Sequence, residues 1–290
     1  MKKPFIHLRC LSSYSLSEST LKIQKLVQVA KKNNMPALAI TDNNNMFGVF
    51  EFAQECVKNN IQPIIGTSIN LVDVQSKNKV SQLSFLVKNE VGYKNLIYLS
   101  SLSYLNKSND IGISISDLED HSDGLFCFLG GEFNPLLILH NQNKKNDDFI
   151  KKLQRLFKNN LFLELQRIND KELDAFENQL INLSNEFNIP LIGTNNIKFG
   201  EEDDFQAHDA LLCVAQKTTI NSGNRKTSNN QIAFKNNDFS LADEIYHPEY
   251  SAFDFRAGLE VNLDSDKVIV STYGESFRSG PFKNLIIRLF

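Results

Sequence analysis

Over roughly 200 residues the chain alternates strand-like and helix-like segments, and few architectures accommodate that alternation. Pro4 to Cys10 reads as a short strand. Leu21 to Asn33 places Ile23, Leu26, Val27 and Ala30 on one helix face, and Asn33-Asn34 with Pro36 stop it. Ala37 to Thr41 has the look of a buried parallel strand. Phe47 to Lys58 is helical, Ile61 to Leu71 and Gln82 to Val87 are strands, and a helix covers Tyr93 to Leu105. Strands at Leu125 to Leu129, Leu161 to Leu165 and Ile189 to Thr194 alternate with helices over Asp147 to Lys158 and Leu173 to Phe187. Phe205 to Val214 is the last helix. The pattern predicts an α/β fold with a parallel sheet closed, or nearly closed, into a barrel; an open doubly wound sheet is the alternative. No strand is followed by a G-x-G-x-x-G or Walker-type loop, which argues against a nucleotide-binding Rossmann or P-loop fold.

A chain of 290 residues holds one large domain, or one domain and an extension. We place a (β/α) barrel domain at 1–215, a linker at 216–243 and an unassigned tail at 244–290. The linker reading rests on the Ser, Asn, Lys and Arg content of Asn221 to Asn230. In the tail, Tyr246 to Tyr250 is aromatic and polar, Lys267 to Tyr273 reads as an isolated strand, and Leu285 to Phe290 is apolar. The net charge of −3 does not advertise nucleic-acid binding. Lys31-Lys32 and Lys151-Lys152 read as solvated helix faces rather than phosphate contacts. No apolar run reaches the roughly 18–20 residues that span a bilayer, and no signal-peptide core follows Met1, so no membrane partner and a cytoplasmic location are expected. Cys10, Cys56, Cys127 and Cys213 lack metal-site or disulfide spacing and read as buried free thiols.

Two segments carry the chemistry. One is His7-Leu8-Arg9-Cys10-Leu11-Ser12-Ser13-Tyr14-Ser15; the other is Thr41-Asp42-Asn43-Asn44-Asn45-Met46-Phe47-Gly48. They resemble the opening motifs of the PHP (polymerase and histidinol phosphatase) domain, H-L-H-x-H-S-x-Y-S and T-D-H-x-N-M-x-G. Met35 to Asp42, Gln62 to Gly66, Lys88 to Leu96, Phe162 to Gln166 and His208 to Cys213 extend the likeness to the N-terminal PHP domains of bacterial replicative DNA polymerase III alpha subunits, from about residue 5 to about 240. The resemblance implies a distorted seven-stranded (β/α) barrel whose strand ends hold divalent metals through His and carboxylate ligands.

At those positions this chain departs from the family. Arg9 and Leu11 stand where it uses a His pair, Asn43 and Gln82 where it uses His, and Ser68 where it uses Glu. Asn196 and Lys198 replace its D-x-H. Asp42 is retained, Glu18 stands for Asp, and Glu132 is a leftover carboxylate. Arginine is always protonated and leucine has no donor atoms, so a working multinuclear site is not expected. Arg9 and Lys198 are expected to pair with Asp42, Glu18 or Glu132 instead. Of the five histidines, His7, His121 and His140 read as structural or solvated, and His208 as ordering the junction after the barrel.

By resemblance the chain acts as a scaffold that binds a proofreading exonuclease subunit and other replicative polymerase subunits. It needs no cofactor of its own and no catalytic residue is assigned. The resembled subunits continue into a polymerase core that contacts DNA and binds magnesium through palm aspartates; those elements are not in this sequence, and DNA synthesis by this chain alone is not expected. The competing reading is a stand-alone PHP-type phosphoesterase with a reduced metal set, and a third is an interaction protein derived from the polymerase.

Overall fold

In the computed structural model, residues 6–76, 79–105, 110–168, 170–229 and 232–234 are described, together with the backbone of 259–263 and 266–270. The expectations for Pro4, for Tyr246 to Tyr250 and for Leu285 to Phe290 fall outside these residues.

The fold is α/β. Six strands form one sheet in sequence order: β1 (Ala37–Ile40), β2 (Gln62–Ser76), β3 (Lys79–Val87), β4 (Leu125–Gly130), β5 (Leu161–Leu165) and β6 (Leu191–Gly193). The helices are α1 (Ile23–Lys32), α2 (Val49–Lys58), α3 (Glu90–Leu105), α4 (Pro135–Asn141), α5 (Asp147–Phe157), α6 (Lys171–Phe187) and α7 (Phe205–Ala215). Among the described residues no helix is long and apolar enough to cross a membrane. All four cysteines are buried and free.

The sheet is mixed rather than parallel. β1–β2, β4–β5 and β5–β6 pair parallel, whereas β3 runs antiparallel to both β2 and β4. The cause is the link between β2 and β3, which end and begin at Ser76 and Lys79. A parallel connection needs a dozen or more residues, so two adjoining strands joined this closely must reverse direction.

Six strands, where seven were expected, are assigned to the sheet. Residues 7–11 are not assigned as a strand, yet their backbone bonds on both sides. Ala39 N donates to the His7 carbonyl at 3.0 Å and Thr41 N to that of Cys10 at 2.8 Å. On the other side Leu11 N donates to Ile197 O at 2.9 Å and Ile197 N to Arg9 O at 3.1 Å. The segment therefore joins β1 to the chain that continues from β6.

Alternation along each strand sorts the side chains. Ala37, Ala39, Ile64, Leu86, Phe126, Phe128 and Ile192 gather with Ile6, Leu8 and the half-buried Phe162 in one cluster drawn from all six strands, on the concave side of the sheet. The residues between them face the helices. Leu38, Ile40 and Ile65 pack with α1 and α2. Leu83, Phe85, Cys127, Leu129, Leu163 and Leu165 pack with α3, α4, α5 and α6 in the largest cluster. Each fully buried Leu or Phe contributes about 1.5–3 kcal/mol.

Local signals set the helix ends. The Asp170 carboxylate caps α6 by accepting from Glu172 N and Leu173 N, and Asn188 at φ 52° ends it in the left-handed region. Asn134 and Pro135 open α4 in the same manner, an element the apolar run Leu136 to Leu139 did not reveal. Asn89 Oδ1 accepts from Gly92 N at 3.0 Å at the start of α3.

The strand expected over Lys267 to Tyr273 is described to residue 270 and is not isolated: β7 (Leu259–Leu263) pairs antiparallel with β8 (Asp266–Val270) in a hairpin.

Gly92 lies against the backbone of Gly124, itself at φ +74°; a Cβ on Gly92 would sit 1.8 Å from the Gly124 carbonyl oxygen. Backbone cannot yield as a flexible side chain does. Gly92→Ala is therefore expected to lower the unfolding free energy by about 2–3 kcal/mol, read as a reduced urea midpoint. A midpoint equal to that of the parent chain would show that α3 is not held against this turn.

Candidate functional site

At one end of the sheet the concave face turns from apolar to polar. The alternating positions run Ile64, Gly66, Ser68 and Asn70 on β2, and Leu86, Ser84 and Gln82 on the reversed β3. They run Phe162, Glu164 and Gln166 from β5, and Ile192, Thr194 and Asn196 from β6. Three linked clusters result.

The first surrounds Arg9. The chain bends at Leu8, and the Arg9 guanidinium donates through Nη1 to Glu164 Oε2 at 2.9 Å and through Nη2 to Ser68 Oγ at 3.3 Å. The two ion-pair side chains are 3% and 0% exposed. Ser68 and Ser84 share a hydrogen bond at 2.8 Å. The second carboxylate oxygen of Glu164 accepts from Thr194 Oγ1 and from Gln166 Nε2, the latter at 3.1 Å. Gly131, at φ +72°, makes room for the pair, since a Cβ there would lie 2.9 Å from Glu164 Oε2 and 3.0 Å from Arg9 Nη1.

The second centres on Glu132. Its Oε2 accepts from Lys198 Nζ at 2.7 Å and Asn196 Nδ2 at 3.0 Å, and its Oε1 from Lys226 Nζ. Burial acts to raise the Glu132 pKa, but Lys198 and Lys226 together outweigh it and hold the carboxyl well below the usual range.

The third is built on Asp42. Oδ1 accepts from Ser12 N at 2.6 Å and Ser15 Oγ at 2.6 Å, and Oδ2 from Ser12 Oγ at 2.7 Å. Burial raises the Asp42 pKa against these hydrogen bonds. Glu18 accepts from Asn43 Nδ2 at 2.6 Å, and its pKa is likewise raised by burial. His208 spans the cluster and α7: its Nε2 donates to the Glu18 carbonyl at 2.9 Å and its Nδ1 accepts from Ser228 Oγ at 2.7 Å. Burial lowers the His208 pKa, favouring this neutral ring.

Arg9, Glu18, Asp42, Asn43, Ser68, Glu132, Asn196 and Lys198 thus occupy the three clusters. Leu11 is buried and serves through its backbone, with its carbonyl accepting from Ser19 Oγ at 2.8 Å. Gln82 donates to Asn70 Oδ1 at 2.8 Å. Lys198 pairs with Glu132, but Arg9 pairs with Glu164 rather than with Asp42, Glu18 or Glu132. Glu164 carried a signal that sequence reading passed over, a carboxylate in the apolar strand Leu161–Leu165.

Lys226 had no such signal, because it comes from the segment read as a linker. That segment is fastened. Arg225 makes a two-pronged ion pair with Asp209 at 2.8 and 2.7 Å. Lys226 N donates to Gln216 Oε1 at 2.6 Å, Ser228 N to Asp209 at 2.9 Å, and Asn229 Nδ2 to the Ile168 carbonyl at 3.0 Å. Among the described residues, no group of three or more His, Cys, Asp or Glu side chains converges as metal ligands do.

The sequence profile of the PHP domain family matches residues 7–168. The DNA polymerase III subunit alpha of Rickettsia conorii is 36% identical over 243 residues, which is 81% of this chain and 20% of that protein. The subunit of the same name from Borreliella burgdorferi is 36% identical over 251 residues, 83% of this chain and 21% of that protein. The chain spans about a fifth of the length of these curated relatives. Among solved structures, a protein from Bifidobacterium adolescentis described as a metal-dependent phosphoesterase aligns with a TM-score of 0.45 at 13% identity, covering 78% of this chain and 93% of that one.

Two outcomes follow from the clusters. Glu164→Gln leaves the buried Arg9 without a counter-charge and is expected to cost about 3–5 kcal/mol, whereas Arg9→Met with Glu164→Gln recovers most of that loss. Equal losses in the single and double variants, measured by urea unfolding, would refute the pairing. The second outcome concerns acid. A lowered His208 pKa means that the native state sheds this proton more readily than the unfolded chain, so its contribution is full above the ordinary value of 6.5 and is lost as pH falls. Asp42 and Glu18, whose values are raised, act in the opposite sense. The stability difference between the parent chain and His208→Gln is therefore expected to shrink from pH 7.5 to pH 5.5; a difference constant with pH would contradict the assignment.

Proposed function

The chain belongs to the PHP domain family, and on that premise we propose that it is a non-catalytic scaffold of bacterial chromosomal DNA replication. In this reading it is the PHP portion of a DNA polymerase III alpha subunit and holds a proofreading exonuclease subunit beside the other polymerase subunits. DNA is engaged by the polymerase core, with magnesium, and not by this segment.

The observation that carries the reading is the occupancy of the strand ends by the chain's own cations. Arg9, Lys198 and Lys226 are bonded to Glu164 and Glu132. Divalent ions need several free carboxylate or imidazole donors. Here the amide groups of Asn43, Gln166 and Asn196 donate to Glu18, Glu164 and Glu132, and Ser12 and Ser15 donate to Asp42, so the carboxylates already hold hydrogen-bond donors and the amides present N–H groups where a metal site needs ligands. This donor set does not fit a multinuclear metal centre, and no hydrolytic step is assigned to it. Names of the matched relatives support a setting in a replicative polymerase.

The test combines metal loading with a partner assay. After incubation with manganese and zinc followed by desalting, the purified chain is expected to retain well under one metal per molecule. It should hydrolyse neither a simple phosphate monoester nor a 3′-terminal DNA substrate. It is expected to co-purify with the proofreading exonuclease subunit expressed from the same organism. Stoichiometric metal with turnover lost in Asp42→Ala would replace this reading with a PHP-type phosphoesterase. Failure of the exonuclease to co-purify would remove the partner.

A further inference from the structure

Helix α3 is apolar on both sides. Gly92, Leu96, Leu99 and Ser103 face inward onto β2 and β3. On the outer side Val91, Tyr98 and Leu105 recur every seven residues, with Ile97 and Tyr104 beside them, and all five are 43–77% exposed. A surface helix of a globular protein ordinarily turns a polar face to water; this one exposes five large apolar side chains among Lys94, Asn95 and Ser101, an apolar surface suited to being covered by a partner. The one cation in the middle of this face, Lys94, is neutralised by Glu90 at 2.8 Å.

The edge of the face has a sign. The turn that follows in space is Glu119-Asp120-His121-Ser122-Asp123, with Glu119, Asp120 and Asp123 exposed. It is held against α3. The rings of Tyr98 and His121 lie 4.1 Å apart, and Asn95 Nδ2 donates to the Asp123 carbonyl at 2.9 Å. Lys152 offsets Glu119 at 3.0 Å, which leaves the side toward Asp120 and Asp123 acidic. The Gly92–Gly124 contact fixes the helix and this turn relative to each other.

We propose that the outer face of α3 docks an amphipathic helix of a partner polypeptide. The partner's apolar side covers Val91, Tyr98 and Leu105, and Lys or Arg on its flank meets Asp120 and Asp123. The face is about 24 Å long, which suits a partner helix of some four turns with anchors at i, i+3, i+4 and i+7. Charge complementarity favours such a partner over a second copy of this chain, whose acidic turn would meet the same acidic turn or an uncharged face. The proposal shares no residue with the strand-end clusters and does not rest on the scaffold reading.

The test uses the full chain and a fluorescent 18-residue peptide of leucine and lysine in helical register, with a leucine–glutamate peptide of the same pattern as control. The lysine peptide is expected to bind at least about tenfold more tightly than the control by anisotropy, and to protect residues 90–105 from hydrogen exchange. Tyr98→Ser with Leu105→Ser should lose about tenfold in affinity; because the Tyr98 ring also packs on His121, Val91→Ser with Leu105→Ser, which keeps that contact, is expected to give a comparable loss with an unchanged melting curve. Asp120→Asn with Asp123→Asn should weaken binding and flatten its salt dependence. Equal binding of the two peptides, or full binding by the Tyr98/Leu105 variant, would overturn the proposal. A concentration-dependent dimer abolished by Tyr98→Ser would overturn it in favour of a second copy.

Discussion

A guanidinium cannot lose its proton, so an arginine buried to the extent of Arg9 must be neutralised where it stands. The rest of the concave face is arranged around that constraint. Glu164 supplies the counter-charge from β5, Ser68 takes a second donor from β2, and Thr194 and Gln166 satisfy the remaining oxygen of Glu164. One side chain of the N-terminal segment thereby ties together strands from both halves of the sheet. Such a pair need not add stability relative to an apolar replacement, but it allows one arrangement only, because either partner alone is a buried charge.

The second carboxylate shows the same logic with a different geometry. Glu132 is shared between Lys198, on the chain after β6, and Lys226, on the segment after α7. Lys226 also lies over the Phe133 ring at 5.8 Å. The ammonium groups are compact charges that several acceptors can share, whereas the Arg9 fork is directional. The strand ends are thus closed by one directional pair and one shared carboxylate, with Asp42 held by two serine hydroxyls and the Ser12 backbone N–H.

Much of this architecture was legible in the sequence. Helical periodicity located α1, α2, α5 and α6 to within a few residues, since their buried faces repeat at the helical spacing. The β-then-α order gave the α/β class. It did not give the direction of β3, because period two reports which face a residue occupies and not which neighbour it pairs with. The strands also extend further than their apolar residues, to Ser76 and from Lys79, which shortens the link that decides the direction. For the candidate site, Arg9, Asp42, Glu132 and Lys198 were picked out by position. Glu164 and Lys226 were not, because their partners are 155 and 94 residues away and no local spacing encodes such a contact.

The backbone closure at residues 7–11 has a consequence for synthesis. One side of that segment finds β1 some thirty residues later, but its other side waits for Ile197. A ribosome adding roughly 5–20 residues per second needs on the order of ten seconds or more to deliver that partner. Throughout this interval the nascent chain carries an open sheet edge with Ile6 and Leu8 nearby, a template on which a neighbouring polypeptide in the same polysome can pair.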